Sequence, residues 1–338
     1  MNNKPTARPN HLAGPDSKNS LVIQGLTAGF RTETGRIRVL ENISYQVPQG
    51  GTVGLVGESG CGKSVSVMTV MRLLPSPPAF VEKGSILFEE EDLLLVTDAR
   101  MRHIRGNRIG MIFQEPMTSL NPTFPIGFQL REVLRVHRGL DKRAAHDVSV
   151  EMIEMIGIGA PEQRMKQYPH QLSGGLRQRI MIAMALVCHP RLLIADEPTT
   201  ALDVTIQAQI LELLERLQQE LGMSILMITH DLGVVAEFCR YVYVMYAGRI
   251  VEHAPVDELF ANPVHPYTRG LIASRPRIAE KIEWLPTIPG MVLSPDQRKA
   301  GCYYVERCER GFDQCRCELP PLVETSEQHF TACWKPYL

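Results

Sequence analysis

An apolar strand running straight into a glycine-rich loop that ends in Lys-Ser constrains this chain more than any other feature. Thr52 to Val56 read as a buried strand, and Gly57-Glu58-Ser59-Gly60-Cys61-Gly62-Lys63-Ser64 follow without a break. Val65 to Leu74 are helix-forming up to the breaker Pro75-Ser76-Pro77-Pro78. Strand, loop and helix in this order make a cradle for phosphate. Glycines let successive backbone N–H groups turn inward, and the helix N-terminus adds its positive end. Lys63 is expected to reach the β- and γ-phosphates of a nucleoside triphosphate, and Ser64 to ligate Mg²⁺. Cys61 is expected to offer only its backbone; Lys63 and the helix N-terminus should lower its thiol pKa and leave it open to alkylation.

A second apolar strand, Leu192 to Ala195, delivers Asp196 and Glu197 at its carboxyl end, where α/β sheets bind ligands. Adjacent acids are more often a solvated turn, but here an apolar strand precedes them and Pro198 follows. Asp196 is expected to hold Mg²⁺ through water, and Glu197 to orient or deprotonate an attacking water. The clearest helix carries Ile206, Ile210, Leu213, Leu214, Leu217 and Leu221 on one face and stops at Gly222. The apolar strand Ser224 to Thr229 then ends at His230, which can approach the same edge as Glu197 and contact the γ-phosphate. Earlier in the chain, strands are expected at Leu21 to Ile23, Val39 to Val47, Ile86 to Phe88 and Arg108 to Phe113, the last leading to Gln114. Residues from Phe128 to Gly157 are charged and helix-forming. Alternating strands and helices of this kind imply an α/β layered core.

Composition sets the boundaries. An apolar fraction of 44% over 338 residues supports a large core with appendages, and a net charge of −1 suggests neither nucleic acid nor an anionic membrane surface as partner. The longest apolar run, Ile180 to Cys188, is too short for a bilayer span. Residues 1–20 are polar and read as a disordered leader without the apolar centre of a signal peptide. The expectation is a soluble, cytoplasmic chain that meets a membrane only through partners. Beyond Glu252 the pattern loosens, becoming Pro-rich without long strands, and five of the eight cysteines (302, 308, 315, 317 and 333) crowd the end. In a reducing compartment such a group suggests a metal or redox site over disulfides.

Leu172-Ser173-Gly174-Gly175 precedes a helix that Ser173 can cap. Alone it is a common flexible turn. In order with the phosphate loop, Gln114, the acidic strand and His230, it resembles the signature of the ATP-binding cassette (ABC) ATPases. That resemblance implies an α/β P-loop domain over residues 21–255, with a β-rich subdomain and a helical subdomain at about 115–190. It implies ATP and Mg²⁺ as ligands, and Lys63, Gln114, Glu197 and His230 as the catalytic set. Ser64, Gln114 and Asp196 would surround Mg²⁺. Ser173, Gly174 and Gly175 would clasp the γ-phosphate bound by an opposing subunit, so a lone chain should hydrolyse poorly. Ala201-Leu202-Asp203 matches the loop that crosses the dimer interface, and Phe30 is the candidate for stacking on adenine. The family most often has Gln where this chain has Leu176.

Gln114-Glu115-Pro116-Met117-Thr118-Ser119-Leu120-Asn121-Pro122, Pro198 to Gln209 and His265-Pro266-Tyr267-Thr268 are similar to the ATPases of dipeptide and oligopeptide importers. So is the cysteine-rich extension, residues 256–338, after Leu285-Pro286-x-Ile288-Pro289-Gly290. Relatives of that family also carry nickel, glutathione or antimicrobial peptides. The resemblance implies a second, related ATPase as dimer partner, two transmembrane permease subunits contacted by the Gln114 loop, and an extracytoplasmic solute-binding protein. The chain would then lie peripherally on the cytoplasmic face of the membrane. Cys302, Cys308, Cys315 and Cys333 resemble the positions that hold a [4Fe–4S] cluster in members of the family; zinc or plain reduced thiols are the other readings, and Cys317 falls outside the pattern. A cassette ATPase acting in DNA repair or translation would carry a coiled-coil insertion or a second cassette, and neither is present. A redox-sensing protein with incidental ATPase activity is the remaining rival.

Overall fold

The computed structural model describes residues 18–33, 35–114, 119–200, 202–274 and 287–337. Most of the expected leader, Glu115 to Thr118, Ala201 and Leu285-Pro286 lie outside these residues. Residues 19 and 20, expected in the leader, belong instead to the first strand, which begins at Asn19, and the buried Ser20 hydroxyl hydrogen-bonds Ser224 at 2.7 Å.

Two sheets form the frame. The smaller is antiparallel, built from β1 (Asn19–Thr32), β2 (Gly35–Pro48), β4 (Ala79–Phe88) and β5 (Glu91–Asp92) in the order β2-β1-β4-β5. The larger places β3 (Thr52–Val56), β6 (Ile109–Ile112), β7 (Leu192–Asp196), β8 (Ser224–Thr229) and β9 (Tyr241–Tyr246) as parallel neighbours in the order β9-β3-β8-β7-β6. Strands β3, β7 and β8 are buried along their whole length, which requires cover on both faces. Alternation along them supplies one apolar cluster on each side. Leu193, Ala195, Ile225 and Met227 join the cluster under the helices, while Leu192, Ile194, Leu226 and Ile228 join the one facing the smaller sheet.

The helix after the phosphate loop runs Lys63–Val70, shorter than the expected Val65 to Leu74, because Arg72 takes a positive φ of 48° ahead of the proline run. Phe128 to Gly157 resolve into two helices, Ile126–Arg138 and Lys142–Met155, divided by a left-handed Gly139 and an Asp141 cap. Helix Val204–Leu221 buries Ile210, Leu213, Leu214 and Leu217, ends on Gly222 and lies as its periodicity predicts.

The C-terminal part is not a detached lobe throughout. β10 (Arg249–Pro255) turns back antiparallel on β9, and β12 (His329–Thr331) pairs with β10 while β11 (Val323–Ser326) pairs with β12, so the chain end completes the larger sheet. A buried carboxylate fastens this join. Glu252 is fully buried and accepts the N–H groups of Val264 (2.8 Å) and His265 (3.0 Å), with His329 Nε2 at 2.7 Å. Among the described residues no helix is long and apolar enough to cross a membrane.

Candidate functional site

The carboxyl ends of the adjacent strands β3, β8, β7 and β6 carry the phosphate loop, His230, Asp196-Glu197 and Gln114 respectively. Parallel pairing therefore gathers these side chains on one edge. Gly57, with φ of 153°, has no room for a side chain: a Cβ there would lie 2.1 Å from the Met245 carbonyl oxygen. The loop thus rests directly on the end of β9. Lys63 is buried and its Nζ donates to the carbonyls of Gly57 (2.7 Å) and Glu58 (3.0 Å).

Ser64 Oγ donates to Asp196 Oδ1 at 3.3 Å. Asp196 is buried, and its burial pushes the carboxyl up despite the serine hydrogen bond. A hydroxyl beside an undercompensated carboxylate is a donor set that suits Mg²⁺, which takes oxygen ligands. The neighbouring Glu197 titrates the other way. Burial works to raise it, but hydrogen bonds from His230 and Thr200, with the charge of Lys63, hold it below the usual carboxylate range. Its partners are Gln114 Nε2 at 3.0 Å and Thr200 Oγ1 at 2.8 Å on one oxygen, and His230 Nδ1 at 3.1 Å on the other. Glu197 sits at a φ of 49°, unusual for a non-glycine residue, and its N–H is held by the Ile228 carbonyl of β8 at 2.8 Å. Gln178 packs beneath and donates to the Pro198 carbonyl.

The structure does not bring every expected residue into this group. Ser173 caps helix Gly174–Leu186, its Oγ accepting the Leu176 N–H at 3.4 Å, and it is exposed with Gly174, while Gly175 lies against Ile206. Asp203 caps the next helix through the Ile206 N–H at 2.9 Å. Phe30 is half-buried in β1 opposite Ile37 and Ala79. The expected alkylation-prone thiol of Cys61 is overturned: it is fully buried, and that burial raises its pKa against the opposing pull of Lys63.

Sequence reasoning gave no role to Thr200, Tyr267 or Arg307. Tyr267 Oη accepts the Glu58 N–H at 2.9 Å, and Arg307 pairs with the Glu58 carboxylate at 3.0 Å through both terminal nitrogens. Thr200 and Tyr267 lie inside the segments Pro198 to Gln209 and His265 to Thr268, which was the available signal; a lone arginine has none.

Cys302, Cys308, Cys315 and Cys333 line one small cavity with His265 and Trp334, all as free thiols, while Cys317 is exposed and outside it. Burial raises the thiols of Cys302 (to about 11), Cys308 and Cys333, and the charges of neighbouring thiolates add to the rise in each of these three. The donors match an iron–sulfur cluster in type and number. As placed, no three His, Cys, Asp or Glu among the described residues are set to hold a single metal ion.

Two family descriptions match the chain: ABC transporter over residues 40–200, and Oligopeptide/dipeptide transporter, C-terminal region, over residues 251–315. The chain is 47% identical over 315 residues to the oligopeptide transport ATP-binding protein OppD of Bacillus subtilis, spanning 93% of this chain and 88% of that one. It is 46% identical over 314 residues to the dipeptide transport ATP-binding protein DppD of the same organism, spanning 93% and 94%. A solved dimeric ATP-binding cassette in a post-hydrolysis state, bound to ADP and phosphate, matches with a TM-score of 0.62 at 26% identity, over 70% of this chain and 98% of that one.

Proposed function

This chain belongs to the ATP-binding subunits of oligopeptide/dipeptide ABC transporters, and on that premise we propose that it hydrolyses ATP to energise the import of short peptides. Its fold is that of the ABC ATPase cassette. The observation that carries the reading is the Glu197 carboxylate, held by Gln114, Thr200 and His230 beside Lys63 and the Ser64–Asp196 pair.

The chemistry is phosphoryl transfer to water, in which positioning and charge stabilisation do most of the catalysis. Gly57 to Ser64 cradle the phosphates, and the Lys63 ammonium leaves its loop carbonyls to meet the β- and γ-phosphate oxygens. Ser64, Asp196 and Gln114 would hold Mg²⁺, which would supply charge neutralisation to the bound phosphates. Glu197 stays ionised at neutral pH and accepts a proton from the water whose oxygen attacks the γ-phosphorus, as the bond to the β-bridging oxygen breaks and ADP leaves. His230 and Thr200 fix the orientation of Glu197, and His230 contacts the γ-phosphate. The Ser173-Gly174-Gly175 clasp, exposed at Ser173 and Gly174, serves the nucleotide of an opposing ATPase subunit, with Asp203 at the crossing and Phe30 on adenine.

The same reading divides the chain into a nucleotide-binding domain over residues 21–255, with its helical subdomain at about 115–190, and a cysteine-rich extension over 256–338. It assigns a [4Fe–4S] cluster to Cys302, Cys308, Cys315 and Cys333, supported by their shared cavity; such a group supplies a structural or redox-active centre. Partners are a second ATPase subunit, two permease subunits and an extracytoplasmic binding protein, with this chain peripheral on the cytoplasmic face. Phe124 and Phe128 support permease docking: in the segment after Gln114 they stack at 4.6 Å while 42% and 39% exposed, an apolar pair open to a partner. The test is uptake of labelled di- and tripeptides in cells whose only copy carries Glu197→Gln. Uptake is expected to vanish with the complex still assembled; unchanged uptake removes peptides and sends the search to nickel, glutathione and other solutes.

A further inference from the structure

The phosphate loop is held from outside the strand–loop–helix unit that forms it. Glu58, its second residue, is gripped twice by the C-terminal part of the chain. Its backbone N–H donates to the hydroxyl of the fully buried Tyr267 at 2.9 Å. Its carboxylate forms a two-pronged pair with Arg307, Nη1 to Oε1 and Nη2 to Oε2, both at 3.0 Å. The arginine is itself immobilised. Its Nε donates to the Pro289 carbonyl at 2.7 Å, its guanidinium lies 5.7 and 5.8 Å from the ring centres of Tyr246 and Tyr304, and its side chain is only 7% exposed. Such a fork is both strong and geometrically selective, and its cost of burial is met by hydrogen bonds on several sides. Arg307 immediately precedes Cys308, so the foot of this strut stands at the edge of the cysteine cavity.

We propose that Arg307 is a positioning residue for ATP binding: it neutralises Glu58 beside the phosphates and braces the phosphate loop against the C-terminal extension. Glu58 without its partner would place an uncompensated negative charge next to an incoming polyphosphate and would free the first turn of the loop. The inference rests on reading Gly57 to Ser64 as the phosphate loop.

Titration of Mg·ATP into the full chain tests it calorimetrically. Arg307→Met keeps an unbranched apolar stem but removes the charge and the fork, and is expected to weaken ATP binding about tenfold or more, the scale of one lost charge-assisted bond. Adding Glu58→Gln to Arg307→Met is expected to recover most of that loss, and Arg307→Lys to fall between parent and Met. A purely packing role would leave the Glu58→Gln addition without effect. Parental affinity in Arg307→Met, or a double variant no better than the single, overturns the proposal. Glu58→Gln alone guards against misfolding of the arginine variants: hydrogen exchange in the 53–64 segment should quicken while the C-terminal extension is unchanged, and unaltered exchange there also overturns it. A parent chain that binds no ATP would instead overturn the phosphate-loop reading.

Discussion

Asp196 and Glu197 are neighbours in sequence whose environments push their carboxyls in opposite directions, a divergence that fits the two roles proposed for them. Burial raises Asp196, leaving it a site that a divalent cation would stabilise. Glu197 is also raised by burial, but hydrogen bonds from His230 and Thr200, with the charges of His230 and Lys63, outweigh it and hold the carboxyl below its usual range, as the proposed general base requires. The cysteines obey the same logic. Burial holds the Cys302 thiol up at about 11, with Cys308 and Cys333 also raised, so the proposed cluster would have to displace protons from these thiols on binding. Anaerobically purified protein is expected to carry about four iron and four sulfide per chain. Cys308→Ser should lose them and Cys317→Ser should keep them. Iron-free parent protein, or iron retained in Cys308→Ser, would contradict the cluster assignment.

At the scale of elements, the junction of β10 with helix Pro266–Ala273 is pH-sensitive by construction. Burial is the largest cause that lowers both His253 and His265, from 6.5 to about 4, with Glu252 pulling each upward and His329 adding repulsion at His253. As pH falls below 6.5 the unfolded chain takes up these protons first, so stability is whole above 6.5 and is lost on the way down to about 4. For the fully buried His265 the loss amounts to about 3 kcal/mol. Thermal melts from pH 7 to 4 should show the decline, and His265→Asn, which can keep the cap on the Tyr267 N–H, should flatten it. A melting temperature equally steep in the variant would contradict this origin.

The same elements show where sequence was readable. Helix Val204–Leu221 and strands β3, β7 and β8 were legible because each carries one unbroken period or apolar run. The grouping of Lys63, Asp196, Glu197 and His230 at one edge was legible because these residues follow closely on those strands. β1 and β2 extend beyond the expected runs, since pairing along a hairpin holds polar stretches such as Arg36 to Arg38 in strand form. β11 was invisible: Val323–Ser326 are largely exposed and become a strand only by pairing with β12. The Arg307–Glu58 pair spans 249 residues of sequence, and nothing local announces it.

Over the whole molecule, parallel strand order converts four separated motifs into one edge, and the C-terminal chain closes the far side of the same sheet. Ser173 and Gly174 stand exposed, and with the half-buried Gly175 they lie outside that hydrogen-bonded group, which is how a site completed by a second subunit would leave them. Hydrolysis should therefore depend on both assembly and Glu197. The most direct measurement is steady-state ATP hydrolysis by the assembled transporter carrying this chain with Glu197 or with Glu197→Gln, alongside Mg·ATP binding. The account predicts a fall in kcat of about a hundredfold or more with ATP binding retained, on the scale of losing a general base. Undiminished kcat in Glu197→Gln would contradict it.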